Sequence, residues 1–230
     1  MPEAQQAADE DARDYFEVHR LRYEWLLGAL RRNLPEMHGE EKLRILDVGQ
    51  SYLTRLIREA YPRAAVDTLN QYDDVRYRER DRHFIFDLNE VARRDAWPEI
   101  GRYHAIVLAE VIEHLHTAPQ LVLRFFAAAL FDGGRLIVQT PNAASAAKRL
   151  MLLAGRHPYE PLRIEGGGHF REYTVKELAS LAEAAGLRVA EVSVRNYFRP
   201  RRRTTRTLVR LAGLLPPRLR EGITMCLEKA

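Results

Sequence analysis

A handful of acids and histidines hold most of the chemistry this sequence could perform. Asp47, Asp67, Asp87 and Glu110 each fall at the close of a short apolar run: "RILDV", "RAAVDTL", "RHFIFDL" and "YHAIVLAEV". In an open α/β sheet, ligands bind outside the carboxyl ends of the strands. Four carboxylates at one such edge repel each other unless a ligand or donor satisfies them. A ligand with hydroxyls, an amine and a positive charge would do so. Asp67 stands 20 residues after Asp47, about the spacing at which a dinucleotide fold places its ribose-binding acid. An acid there accepts from both ribose hydroxyls and repels a 2′-phosphate. Further along, "EVIEH" carries Glu110, Glu113 and His114, and "EGGGHFREYT" carries His169 behind three glycines. Glycines in that number suit a mobile segment at the mouth of a site.

These residues need elements to position them. Residues 10–34 read as a helix, with Leu21, Trp25, Leu26, Ala29 and Leu30 near one another on a wheel. "LRILDV" is an apolar strand, and Leu53, Leu56, Ile57 and Ala60 follow at helical spacing. "RAAVDTL", "RHFIFDL", "YHAIVLAEV" and "GGRLIVQTP" are further strands. A helix opens at Pro119, a good first-turn residue. Thr174 and Glu177 predict a capping box for another helix, which Gly186 stops. "LRVAEVSV" and "GITMCLE" close the chain as strands. Mostly apolar strands alternating with helices predict a doubly wound, mainly parallel sheet covered on both faces.

Composition narrows the class. The 230 residues are 46% apolar, enough for one sizeable core. A single cysteine, Cys226, excludes an internal disulfide framework. The acidic start "MPEAQQAADEDARD" is no secretory signal. The longest apolar run, Phe125 to Phe131, is far short of the roughly 20 residues that span a bilayer. The expectation is a cytoplasmic protein. Residues 195–220 hold nine arginines and no acid, so a mildly acidic body carries one strongly basic segment. Its leucines would make a helix from about Thr204 to Leu215 amphipathic. Three roles compete for residues 196–220: packing on the body or on a second chain in a homodimer, peripheral contact with the inner membrane surface, and nucleic-acid binding, the least favoured.

Taken together, "LDVG", "VDTL", "FDL", "AEVIEHL", "FDGGRLIVQTPN" and "GGHFREYTVKELASLAEAAGLRV" resemble a class I S-adenosylmethionine-dependent methyltransferase of the small-molecule type. They resemble in particular the ubiquinone-pathway O-methyltransferase-like superfamily. The resemblance covers roughly residues 40–195 and implies a Rossmann-like α/β fold with a seven-stranded sheet whose last strand is antiparallel. It divides the chain into an N-terminal helical segment over the cofactor site (1–38), the S-adenosylmethionine-binding core (39–195), an arginine-rich insertion (196–220) and the final strand (221–230). Carried over by position, Asp47, Gly49, Gln50 and Ser51 frame the loop under the methionine part of the cofactor. Asp67 holds the ribose, Asp87 and Leu88 meet the adenine, and Ala109 and Glu110 lie by the methionine end. An arginine of the first helix, Arg22, is a candidate for the cofactor carboxylate. The first loop departs from the family's acid-x-Gly-x-Gly-x-Gly, with Ser51 and Leu53 at the second and third glycine positions. S-adenosylmethionine has no pyrophosphate to cradle, so binding is expected to survive.

The implied reaction is a direct displacement on a sulfonium carbon supplied by the cofactor. The protein must align the nucleophile and help remove a hydroxyl proton. The candidates are His114, His116, His157 and His169. His169 reads either as general base or as a structural histidine bonded to a strand-end carbonyl, and His157, Tyr159 and Arg171 are substrate-contact candidates. In the ubiquinone-pathway relatives the E-x-x-E-H run binds a divalent ion, which would make Glu110, Glu113 and His114 ligands for magnesium, manganese or zinc. In other relatives the same glutamate orients a turn and the histidine caps or packs. The expected acceptor is a small molecule, sugar or lipid-linked glycan in a biosynthetic pathway. The alternatives are a non-catalytic cofactor-binding partner protein and an RNA methyltransferase.

Overall fold

The computed structural model describes residues 2–34, 42–73, 82–159, 161–162, 168–197 and 216–229. The amphipathic helix expected within 204–215 lies outside them. Seven strands form one sheet: β1 Arg44–Val48, β2 Ala65–Asn70, β3 His83–Ile85, β4 Tyr103–Ala109, β5 Leu130–Pro141, β6 Leu187–Arg195 and β7 Gly222–Lys229. Their order is β3-β2-β1-β4-β5-β7-β6. β1 to β5 pair in parallel, and β7 runs antiparallel between β5 and β6. The expected mainly parallel sheet with an antiparallel last strand is what the chain forms.

Among the described residues there are five α-helices, α1 Pro2–Asn33, α2 Tyr52–Ala60, α3 Pro119–Ala128, α4 Ala146–Leu153 and α5 Val175–Ala184, of which α1, α2, α3 and α5 pack on the sheet. Successive strand residues face opposite sides, and both sides are buried. Leu46, Val48, Ile106, Leu108, Leu136, Val138, Met225 and Leu227 face the layer of α3 and α5. Ile45, Ala105, Val107, Ile137 and Cys226 face α1 and α2. This is why the strands read as nearly continuous apolar runs.

α1 is held by chemistry at both sheet and helix level. Tyr23, Leu26, Ala29 and Leu30 are buried on its inner face. Arg32 pairs with Glu191 at 2.7 Å, and Asn33 Nδ2 donates to the same carboxylate. The Arg195 guanidinium lies 4.2 Å from the Trp25 ring centroid. α5 begins as expected at Thr174, whose Oγ1 accepts from Glu177 N at 3.2 Å. The Glu177 carboxylate pairs with Arg171 rather than reaching back, so only half of the predicted capping box forms. α4 has no counterpart in the expected elements. Among the described residues no helix is long and apolar enough to cross a membrane.

Candidate active site

The β1–α2 turn shows what each residue of the sparse-glycine loop does. Gly49 has φ of +79°, and a Cβ there would meet Val111 Cγ2 at 2.7 Å. Glycine is required both for the backbone and for the space. Ser51 needs neither, because its φ is −157° and it is the N-cap of α2. Its Oγ accepts from Leu53 N at 3.2 Å, and Thr54 Oγ1 accepts from Ser51 N at 3.1 Å. The second glycine position is thus a helix cap, and a hydroxyl serves it better than a hydrogen. Leu53 is buried on the α2 face. Thr54 Oγ1 donates to Asp47 Oδ2 at 2.6 Å, which ties the cap to the strand. Asp47 is wholly enclosed, and burial pushes its carboxyl up to about 7 despite the Thr54 hydrogen bond.

A cavity of about 350 Å³ opens over the carboxyl ends of β1, β2, β3 and β4. Gly49, Asn70, Asp87, Leu88, Glu110 and His114 are on its wall. Asp87 accepts from Asn89 N at 2.9 Å and Asn89 Nδ2 at 3.0 Å. Asn89 Oδ1 in turn accepts from His116 N and Thr117 N, pinning the loop after β4 to the loop after β3. Asp47, Gln50, Ser51 and Ala109 are not among the residues that line it.

Asp67 departs from expectation. It does not end β2, which runs on to Asn70, and it pairs in register with Leu46 inside the sheet. It accepts from Tyr103 Oη at 2.8 Å and from Arg82 N at 3.2 Å, and the Arg44 guanidinium stands 3.6 Å away. Those partners occupy the carboxylate, and the ribose role does not fit its placement. Asn70 and Gln71 stand at the cavity in its stead.

Glu110 begins the second half of the site. It is the one non-glycine with positive φ among the described residues, at 55°. A bulky residue held there is strained. The turn aims its carboxylate at Arg22 Nη1, 3.2 Å away. Burial raises the Glu110 carboxyl, and Arg22 offsets part of that rise. A second cavity of about 560 Å³ lies beyond this pair, between α1, α4 and the segment after residue 168. His19, Arg22, Glu110, His114, Lys148 and His169 are among the residues that line it. Glu110 and His114 therefore form a wall shared by both cavities.

Phe170 N donates to Glu113 O at 2.9 Å, which docks the His169 segment against the turn after β4. His114 Nδ1 donates to Gly168 O at 2.8 Å, and its ring meets that of His169 edge-on at 4.9 Å. His169 Nδ1 lies 2.8 Å from Glu172 Oε1, while Lys148 Nζ pairs with the other oxygen of Glu172. The Lys148 ammonium is lowered to about 8 by burial, with Glu110 and Glu113 opposing. Glu113 is fully buried and takes a hydrogen bond from Thr140 Oγ1 at 2.9 Å on Oε2. Burial, then the neighbouring Glu110 charge, raises its carboxyl to about 8.

The expected ion set of Glu110, Glu113 and His114 is not assembled. Glu110 is turned to Arg22, which occupies its carboxylate, and the ligand-capable atoms that come together are those of Glu113, His114 and His169. Arg22 lies at the second cavity and not on the wall of the first. Of the substrate-contact candidates, Tyr159 sits under the Lys148 ammonium, 5.9 Å away, and His157 meets the Tyr159 ring edge-on at 5.1 Å. Arg171 is exposed and paired with Glu177. His116 meets the Phe170 ring at a tilt, with centroids 5.6 Å apart. Sequence reasoning missed Lys148 and Glu172. Glu172 had one signal, its position three residues after His169.

A doubly wound sheet with a cavity across its strand ends and a glycine that only a hydrogen fits is a nucleotide-cofactor fold. Residues 18–192 match the family model described as a methyltransferase domain, so the chain belongs to that family and is an enzyme of that class. A comparison with curated proteins gives no match. Among solved structures, the chain is similar to the 1,6-didemethyltoxoflavin-N1-methyltransferase of Burkholderia thailandensis with bound 1,6-didemethyltoxoflavin and S-adenosylhomocysteine. The TM-score is 0.58 at 17% identity, over 99% of this chain and 86% of that one. It is similar to a chain from the complex of the Haloferax volcanii Trm112 methyltransferase activator with a methyltransferase (TM-score 0.63, 14% identity, 97% and 95% covered). It is also similar to the N-methyltransferase NodS of Bradyrhizobium japonicum WM9 with S-adenosylhomocysteine (TM-score 0.52, 11% identity, 91% and 86% covered). At these identities the likeness speaks for the fold.

Proposed function

We propose that the protein transfers a methyl group from S-adenosylmethionine to a hydroxyl of a small or amphiphilic acceptor in a biosynthetic pathway. The observation that carries this reading is the wall shared by two cavities, formed by Glu110 and His114. The first cavity suits the cofactor: Gly49 lets the backbone turn under it against Val111, and Asp87 and Leu88 offer a carboxylate and an apolar face for an adenine. The cofactor supplies a methyl group already activated on a sulfonium sulfur. The protein's share is alignment and exclusion of water.

Arg22 fixes the Glu110 carboxylate at the boundary, so the two cavities meet at a defined point. His114 stands on both sides of that boundary, and His169 faces the acceptor side. These are the groups positioned to weaken an acceptor O–H. Leu150, Leu152 and Leu153 are exposed on α4, the helix whose Ala147, Lys148 and Met151 line the acceptor cavity. That apolar surface beside the cavity supports an acceptor with an apolar part, such as a lipid-linked glycan.

Neighbours of known chemistry also act on small molecules: 1,6-didemethyltoxoflavin is bound in one of them. The test is calorimetry with S-adenosylmethionine and S-adenosylhomocysteine, followed by mass-spectrometric detection of methylated hydroxyl acceptors with and without lipid tails. Saturable binding and a 14-dalton gain on an acceptor oxygen are expected. No binding of either ligand would overturn the reading.

A further inference from the structure

We infer that Glu113, His114 and His169 form a binding site for a divalent first-row transition ion. The set differs from the E-x-x-E-H reading of the sequence by one exchange: His169 replaces Glu110. One ligand-capable atom from each of the three residues lies within 4.8 Å of the others. An ion held at about 2.1 Å sets neighbouring ligands about 3–3.5 Å apart, so side-chain rotation of about 1 Å closes the site.

Three observations independent of that proximity point to an ion. Among the described residues Glu113 Oε1 is buried with no hydrogen-bond partner, although Oε2 is satisfied by Thr140. A buried carboxylate oxygen left without a donor is costly, and a cation removes the cost. Next, the tautomers are set for ligation. A carbonyl only accepts, so His114 must carry its proton on Nδ1, and its lone pair is then on Nε2. His169 points Nδ1 at the Glu172 carboxylate, so in its neutral form the proton sits on Nδ1 and the lone pair on Nε2. Finally, each proposed ligand is held by an outer partner: Thr140 for Glu113, Gly168 O for His114, Glu172 for His169. Carboxylate and carbonyl partners on the remote nitrogen are how proteins orient metal-binding imidazoles.

Charge is consistent with this. The two cations that line the acceptor cavity, Arg22 and Lys148, are paired with Glu110 and Glu172. Glu113, just behind His114, has no salt bridge among the described residues, and an ion would neutralise it. Two imidazoles and one carboxylate favour manganese, iron, cobalt or zinc over magnesium, which prefers oxygen. The role of the ion rests on the proposed function: at the wall between the cavities it would lower the pKa of an acceptor hydroxyl that reaches it. In that role His169 is a ligand and not a general base.

The site is tested on the full chain, stripped with chelator and titrated with Mn²⁺, Zn²⁺ and Co²⁺ without cofactor or acceptor. The readouts are heat and, for Co²⁺, the visible ligand-field band. One ion per chain is expected. Glu113→Gln and His169→Ala each abolish the band, Glu172→Gln weakens binding about tenfold, and Glu110→Gln retains the band. Thermal unfolding of each ion-free variant, with His169→Asn as a second substitution, separates lost ligation from lost fold. No binding by the folded wild-type protein overturns the site. So does equal affinity in wild type and folded His169→Ala, or loss in Glu110→Gln with retention in His169→Ala. Ion binding without methyl transfer would remove the functional reading and leave the site standing.

Discussion

Replacing Gly49 by alanine tests whether the β1–α2 turn is under the constraint its geometry implies. The backbone there sits at φ +79°, a conformation that costs a non-glycine residue about 1–2 kcal/mol. The new Cβ would also lie 2.7 Å from Val111 Cγ2, where ordinary contact begins near 3.4 Å. Val111 must therefore give by about 0.7 Å, and an off-rotamer valine costs about 1 kcal/mol. The two effects sum to about 2–3 kcal/mol, or about 4–12 °C in Tm for a chain of this size. They separate in the assay. Backbone strain is present with and without ligand, so it lowers Tm and leaves affinity alone. Val111 lines the cofactor cavity, so its displacement weakens S-adenosylhomocysteine by about fivefold, the equivalent of about 1 kcal/mol. Adding Val111→Ala removes the clash but not the strain. The double variant should regain affinity relative to Gly49→Ala while its Tm loss is only partly repaired, measured by calorimetry and thermal unfolding. A Gly49→Ala protein with wild-type Tm and wild-type affinity would refute the reasoning.

Other perturbations follow from the same site. Asp47 has a folded pKa raised by burial to about 7, against about 3.9 unfolded. Its stabilising contribution is full below about pH 4 and is lost as pH rises through 7. Asp47→Asn removes that dependence, so its Tm relative to wild type should climb between pH 4.5 and 7.5; a pH-independent difference would contradict the assignment. Asp67→Asn should leave S-adenosylhomocysteine affinity intact and lower stability by about 1–3 kcal/mol through weakened bonds to Tyr103 and Arg82. Asn70→Ala should instead weaken binding, and the reverse pattern in calorimetry would restore Asp67 to the cofactor. Ser51→Ala should cost about 1 kcal/mol and Ser51→Gly a few tenths, as an N-cap does, with ligand binding retained in both; loss of binding on Ser51→Gly would mean the hydroxyl serves more than the helix.

The sheet was legible because burial on both faces imprints itself on every strand residue. Ile45 and Leu46 face opposite layers, and both must be apolar. α4 was not legible, because "AAKRLMLL" leaves Leu150, Leu152 and Leu153 exposed and so shows no inward stripe to read. Thr174 was readable as a cap because an N-cap is a local interaction; the Glu177 half failed because Arg171, also local, competes for the same carboxylate.

The site divides along the same line between local and distant causes. Gly49 and Asp87 line the cavity just beyond the ends of β1 and β3, where the sequence put strand ends. Spacing misplaced Asp67, because counting residues between two acids ignores strand register. β2 pairs Thr68 with Asp47 and continues two residues further, which carries Asn70 to the edge and leaves Asp67 within the sheet. The proposed ion site shows the converse limit. Glu113 and His114 sit together in sequence, and sequence joined them with Glu110. The structure separates Glu110 through a positive φ and an arginine, and substitutes His169 through one backbone hydrogen bond from Phe170 to Glu113. Neither cause leaves a periodic trace. A left-handed glutamate and a docked glycine-rich segment are tertiary facts, and at this wall they decide which side chains can share a ligand.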